Sequence, residues 1–131
     1  MARLIGLLAG ACIGVVSVDS VHAHHSFSMF DAEVQITLEG TVVEYRWKNP
    51  HTHIIVSISD ESGDSALAGT WEIEGASISI MRRQGWNKGS FKPGEKIVVV
   101  VNPLRNGEKG GALVYAIDKN GERLYPDTER Y

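Results

Sequence analysis

Apolar and polar side chains alternate in short runs along most of the chain, and Gly, Pro, Asn and Asp residues separate the runs. Alternation with a period of two is typical of β-strands that bury one face. The sequence therefore predicts a mainly β protein. The predicted strands cover residues 33–47, 51–59, 70–74, 97–101 and 112–117, and a final short hairpin turns at Asn120-Gly121.

The first predicted strand changes phase halfway along its length. Val34, Ile36 and Leu38 share one face, whereas Val43, Tyr45 and Trp47 share the other. An extra residue at a β-bulge produces such a change, and a glycine often marks it. We therefore predict a bulge at Gly40-Thr41, which would help to curl the sheet into a barrel.

One short helix is predicted over residues 77–84, between the third and fourth strands. Ser77 can cap its start, Arg82 and Arg83 suit its C-terminal end, and Gly85 can end it in the left-handed conformation. The order of elements matches a small five- to six-stranded OB-like Greek-key barrel. An open β-sandwich is the competing architecture.

The first 23 residues have the features of a signal peptide. Arg3 is followed by an apolar run at 4–16, and Val21 and Ala23 form the small-residue pattern before a cleavage site. The run is shorter than the roughly 20 residues of a transmembrane helix. We therefore expect a periplasmic or secreted protein whose mature chain, residues 24–131, is a single domain without a transmembrane segment.

The composition of the mature chain restricts its ligands and partners. Cleavage removes Cys12, so a bound metal would need nitrogen and oxygen ligands. Twelve basic and 15 acidic residues remain, which gives no attraction towards phosphate backbones. Nucleic acid is therefore not an expected partner.

All five histidines fall in two short stretches, V-H-A-H-H-S at 21–26 and N-P-H-T-H at 49–53. Cleavage after Ala23 would make His24 the first residue, and its free amine and imidazole could then chelate one metal ion together. Cleavage one residue earlier would place His24 second and His25 third, which also permits chelation. Imidazole suits copper and zinc. The predicted metal ligands are His24, His25 and His51.

His51 and His53 are predicted on one face of the second strand, about 7 Å apart. For His51, metal binding and a hydrogen bond at the Asn49-Pro50 turn are both open, whereas for His53 the pattern favours plain exposure. Glu72 and Glu74 face outward from the third strand, where solvated side chains are the usual case. A straight first strand of about 46 Å would separate the two histidine clusters, but a coiled strand permits them to meet.

Three functions fit these features. The first is an exported, non-enzymatic binding domain that holds copper or zinc through His24, His25 and His51. The second is a module without metal that serves a periplasmic protein partner, such as a redox enzyme or a transporter. The third is a copper enzyme with a terminal-histidine brace, which would need a substrate surface that the sequence does not display.

Several phrases of the mature chain occur together in one known family. They are H-H-S-F-S-M-F-D at 24–31, L-E-G-T-V at 38–42, W-K-N-P-H at 47–51, W-E-I-E at 71–74, R-R-Q-G-W at 82–86, K-P-G-E at 92–95 and N-P-L-R-N-G at 102–107. In these phrases the chain resembles an uncharacterised family of small exported bacterial proteins, a domain of unknown function. The resemblance implies a periplasmic or secreted β-domain and brings no activity with it.

Overall fold

The computed structural model describes residues 28–127, and the predicted strands and helix are present in this part of the chain. The elements are β1 (Ile36–Arg46), β2 (His53–Ile58), a 3-10 helix (Asp60–Ser62), β3 (Gly69–Glu74), α1 (Ile78–Arg83), β4 (Lys96–Pro103), β5 (Gly110–Ile117) and β6 (Arg123–Leu124). The mainly β prediction is confirmed. The predicted signal peptide, residues 1–23, lies outside the described residues.

Five strands form a closed barrel in the order β3-β2-β1-β4-β5. Neighbouring strands in this order are antiparallel, and a parallel contact between β3 and β5 closes the barrel by pairing Glu72 with Gly110 and Glu74 with Ala112. β6 extends the sheet beyond β5. This confirms the OB-like Greek-key barrel with its helix between β3 and β4, and closure rules out the open sandwich.

The barrel interior is filled by the inward-facing side chains that the alternation predicted. Each fully buried aliphatic side chain contributes about 1.5–3 kcal/mol by leaving water. Trp71 and Trp86 are also buried, so both side chains serve packing. The most deeply buried side chains are Trp86, Leu38, Ile54, Ile73, Met81, Ile97, Val42, Val56, Val99, Val101 and Thr52.

The bulge in β1 lies beyond the predicted position. Leu38, Gly40 and Val42 all stay buried, and the register with β2 shifts between Val42 and Glu44, so that Val43 is the extra residue. Gly40 marks a close approach instead, because an added Cβ would lie 2.4 Å from the Ser57 carbonyl oxygen. The prediction of a bulge at Gly40-Thr41 was therefore wrong, and Val34, predicted on the same strand face as Leu38, is exposed and precedes β1.

Helix α1 ends as predicted but begins differently. Gly85 is left-handed with φ 87°, and the Trp86 amide donates to the Met81 carbonyl at 3.1 Å. At the other end, Ser77 makes no side-chain capping bond, and the Ile78 amide instead donates to Asn49 Oδ1 at 3.1 Å. This bond ties the β1–β2 loop to the helix. Among residues 28–127, no helix is long and apolar enough to cross a membrane.

The hairpin between β5 and β6 turns at Asn120-Gly121, as predicted. The Asp118 carboxylate accepts hydrogen bonds from the backbone amides of Glu122 and Asn120, and these bonds lower the pKa of its carboxyl group. Gly121 supplies the left-handed residue, with φ 81°. Beyond β6, the Tyr125 carbonyl accepts a bond from Trp86 Nε1 at 2.8 Å, which fixes the end of the described chain against the core.

Candidate metal site

His51 and His53 flank a buried residue that fixes both of them. Thr52 is 1% exposed, its amide and hydroxyl both donate to the Ala76 carbonyl, and its own carbonyl accepts from the Gly75 amide. Since successive side chains of an extended chain point to opposite sides, burial of Thr52 turns the two histidines outward. β2 begins at His53, so His51 precedes the strand on which it was predicted.

Each of these imidazoles lies beside a carboxylate of β3. His53 pairs with Glu74 in the strand register, and the side chains cross diagonally. His51 Nδ1 lies 2.5 Å from Glu74 Oε1, and His53 Nε2 lies 3.9 Å from Glu72 Oε1. The side chains of His51 and Glu74 are 32% and 18% exposed, so both are partly shielded from water. The outward face of β2 and β3 therefore carries two histidine–carboxylate pairs.

The two carboxylates differ in their other partners. Glu72 Oε1 also accepts a hydrogen bond from Arg46 Nη1 at 2.8 Å, while Arg46 Nε contacts Glu44 at 3.0 Å. Glu74 Oε1 is buried and, apart from its close contact with His51 Nδ1, has no partner among the described residues. Arginine therefore balances the charge of Glu72, whereas the charge of Glu74 faces His51.

A cavity of about 230 Å³ adjoins these pairs. His53, Glu72 and Glu74 line one side of it, and the turn between β4 and β5 lines another through Glu108 and Lys109. A water molecule occupies about 30 Å³ in the liquid, so the cavity has room for an ion and further side chains. Its remaining lining residues are Met29, Phe30, Leu104, Gly110 and Gly111.

Met29 and Phe30 bring the start of the described chain to this cavity. Phe30 is 6% exposed and forms a β-bridge with Leu104. The Arg105 amide donates to the Met29 carbonyl at 2.9 Å, and the Asp31 amide donates to the Pro103 carbonyl at 2.8 Å. Residues 29–31 are therefore held against the end of β4, at the edge of the cavity that His53 lines.

Two of the three predicted ligands, His24 and His25, lie outside the described residues. His25 precedes Met29 by four positions and His24 by five, so even an extended chain keeps their Cα atoms within about 14 and 18 Å of that of Met29. Within residues 28–127, no group of three or more His, Cys, Asp or Glu side chains has an arrangement that could hold a metal ion. A metal site here would need ligands from outside the described part of the chain.

His53 was the residue that the sequence interpretation underrated. It was expected to be plainly exposed, yet its side chain is 25% exposed and its Nδ1 atom is buried without a hydrogen-bond partner among the described residues. The signal lay in two spacings, His51 and His53 on one strand and Glu72 and Glu74 on the next. Their meeting depends on the β2–β3 register, which alternation alone does not specify.

Comparison with known proteins gives a family and no activity. No curated protein and no solved structure matches the chain. One family model matches residues 12–113, which include all five histidines and the strands β1 to β4. Because this match covers most of the chain, the protein belongs to the family described as "Family of unknown function (DUF6152)".

Proposed function

We propose that the protein is a small exported binding domain that holds one transition-metal ion, copper or zinc, in the periplasm. The ligands are the free amine and imidazole of His24, the imidazole of His25 and the imidazole of His51. The proposal requires that residues 1–23 are removed as a signal peptide, because only cleavage creates the free amine of His24.

The observation that carries the proposal is the position of Met29 and Phe30. Both line the cavity that also has Glu74 on its wall, and Glu74 contacts His51. His24 and His25 precede Met29 by five and four residues, and this short spacing supports a site that they share with His51. Residues 29–31 are held against the end of β4 instead of continuing a straight first strand, and this path supports a meeting of the two histidine clusters.

The contact between His51 and Glu74 supports a ligand role for His51. Metal-binding imidazoles commonly hold one ring nitrogen towards a carboxylate, which fixes the ring and leaves the other nitrogen for the metal. Glu74 lies at Nδ1 of His51, and no described hydrogen bond engages Nε2. Nε2 is therefore the atom of His51 that we assign to the metal.

The test is titration calorimetry with Cu(II) and Zn(II) on the mature protein that begins at His24. An otherwise identical protein with one extra N-terminal glycine is the matched control, because it keeps both imidazoles and moves the amine out of the chelate. We expect one ion per chain, and we expect the added glycine to weaken binding by about tenfold or more. His51→Ala should weaken binding by a smaller factor.

Equal affinities of the two proteins would remove the terminal amine from the site and contradict the proposal. Absence of binding by both would favour the module without metal, in which Glu72 and Glu74 hold structural histidines. Oxygen- or peroxide-dependent turnover by the copper-loaded protein would favour the histidine-brace enzyme.

A further inference from the structure

The charges of the protein are distributed unevenly along the described chain. Residues 75–94, which lie between β3 and β4, contain four basic residues and no acidic one. The other residues of 28–127 contain seven basic and 14 acidic residues. With neutral histidines, the net charge is therefore +4 over residues 75–94, the basic segment, and −7 over the rest. The small negative charge of the whole chain conceals this separation.

The four basic side chains of this segment are all exposed. Arg82 and Arg83 form the end of α1, and Lys88 and Lys92 follow within ten residues of Arg82. Two turns hold the backbone around the lysines, because the Ser90 amide donates to the Asn87 carbonyl and the Glu95 amide to the Lys92 carbonyl. Within residues 28–127, none of the four side chains forms an ion pair with a carboxylate. Their charges are therefore directed to solvent.

The aromatic side chains of the basic segment point away from this surface. Trp86 and Phe91 are both buried in the core, where their rings lie 5.7 Å apart between centroids. Stable protein–protein interfaces depend on exposed aromatic anchors, and lysine is depleted in them. An anionic lipid surface needs only a sufficient density of positive charge. The composition of the exposed surface therefore favours a membrane over a protein partner.

The acidic remainder of the molecule would orient it at such a membrane. Each Lys or Arg near an anionic bilayer strengthens binding by about fivefold, and the effect falls off within a Debye length, about 8 Å at physiological ionic strength. The net charge of −7 outside the basic segment is repelled by the same surface. Only the orientation that turns the basic segment towards the headgroups is then attractive.

We infer that the basic segment is a docking surface for an anionic phospholipid bilayer. The barrel lies at the level of the headgroups, with Arg82, Arg83, Lys88 and Lys92 against the lipid phosphates. This inference goes beyond the proposed function and does not depend on it, because no proposed metal ligand belongs to the basic segment.

The experiment is co-sedimentation of the mature protein that begins at His24 with lipid vesicles, without added metal. One set of vesicles contains equal parts of phosphatidylglycerol and phosphatidylcholine, and the other contains phosphatidylcholine alone. We expect binding to the anionic vesicles that high salt abolishes, and no binding to the neutral vesicles. The double variant Arg82→Gln/Arg83→Gln should weaken binding to the anionic vesicles by about tenfold or more.

Two further double variants complete the test. Lys88→Gln/Lys92→Gln lies outside α1 and should weaken binding similarly, which separates loss of charge from a change in the helix. Lys96→Gln/Lys119→Gln is the matched control, because it removes the same charge from exposed positions outside the basic segment. The control should leave binding within about twofold of the unsubstituted protein.

Equal weakening by the control and the two basic-segment variants would overturn the inference, since binding would then follow net charge alone. Failure to bind the anionic vesicles, or equal binding to the neutral ones, would also overturn it. If the protein leaves the vesicles unbound and instead self-associates at low salt in sedimentation analysis, the basic segment meets the acidic surface of a second copy.

Discussion

The ring of Tyr45 packs against other aromatic side chains, whereas its hydroxyl group is buried without a hydrogen bond to a described residue. Its ring packs against Trp47 at 5.7 Å and meets Phe91 edge-on at 5.9 Å between centroids. The hydroxyl oxygen is buried with no hydrogen-bond partner among the described residues, and burial raises the pKa of the phenol. The hydroxyl therefore costs desolvation energy without a compensating bond.

Tyr45→Phe should leave the free energy of unfolding unchanged or raise it by up to about 1 kcal/mol, because it removes the unpaired hydroxyl and keeps the ring. Tyr45→Ala, which removes both, should lower it by about 2 kcal/mol or more. Denaturant titration of the two variants measures both changes. A loss of more than about 1 kcal/mol in Tyr45→Phe would show that the hydroxyl has a stabilising partner.

The sequence predicted the chemical type of the site residues better than their environment. His51 was a candidate because it lies two residues before His53 on the same predicted strand face, and it does contact a carboxylate. Burial of one nitrogen of His53 was not predictable, because it depends on the cavity formed with the β4–β5 turn and with Phe30. Gly40 was similarly recognised as special, but the close approach of Ser57 required the register between β1 and β2.

At the scale of elements, helix α1 shows where local sequence signals are sufficient and where they are not. Its C-terminal end follows from Gly85 and Trp86, which are adjacent in sequence. Its N-terminal cap comes from Asn49, 29 residues earlier in the chain. Ser77 has the residue type of a cap and occupies the N-cap position, yet its hydroxyl contacts Ser79 instead.

Asn49→Ala should therefore destabilise the protein by about 1 kcal/mol, since the Ile78 amide loses its acceptor. Ser77→Ala, at the position that the sequence suggests, should change stability by less than about 0.5 kcal/mol. Thermal or denaturant unfolding of both variants checks the comparison. Equal losses, or a larger loss in Ser77→Ala, would contradict capping by Asn49.

At the scale of the whole molecule, the order of elements indicated the barrel, with an open β-sandwich as the alternative, but it did not indicate the path of the chain before the barrel. The order of three strands, a helix and two strands matches a closed barrel, and the parallel pairing of β3 with β5 closes that barrel. The docking of Phe30 against Leu104 joins residues 74 positions apart. No periodicity in the sequence encodes such a pairing, so the approach of Met29 and Phe30 to the cavity that His53 and Glu74 line had to come from the structure.

The central claim is that the start of the mature chain and the barrel share one metal site. A Cu(II) titration of the isotopically labelled mature protein tests this claim most directly, because bound Cu(II) broadens the nuclear magnetic resonance signals of nearby groups. Substoichiometric Cu(II) should selectively broaden the signals of His51, His53, Met29 and Phe30. Signals of Ser57 and Lys96, which line a separate pocket further along β2 and β4, should stay sharp. Broadening that spares both His51 and His53, or that affects Ser57 and Lys96 equally, would contradict a metal site shared between the chain start and the barrel.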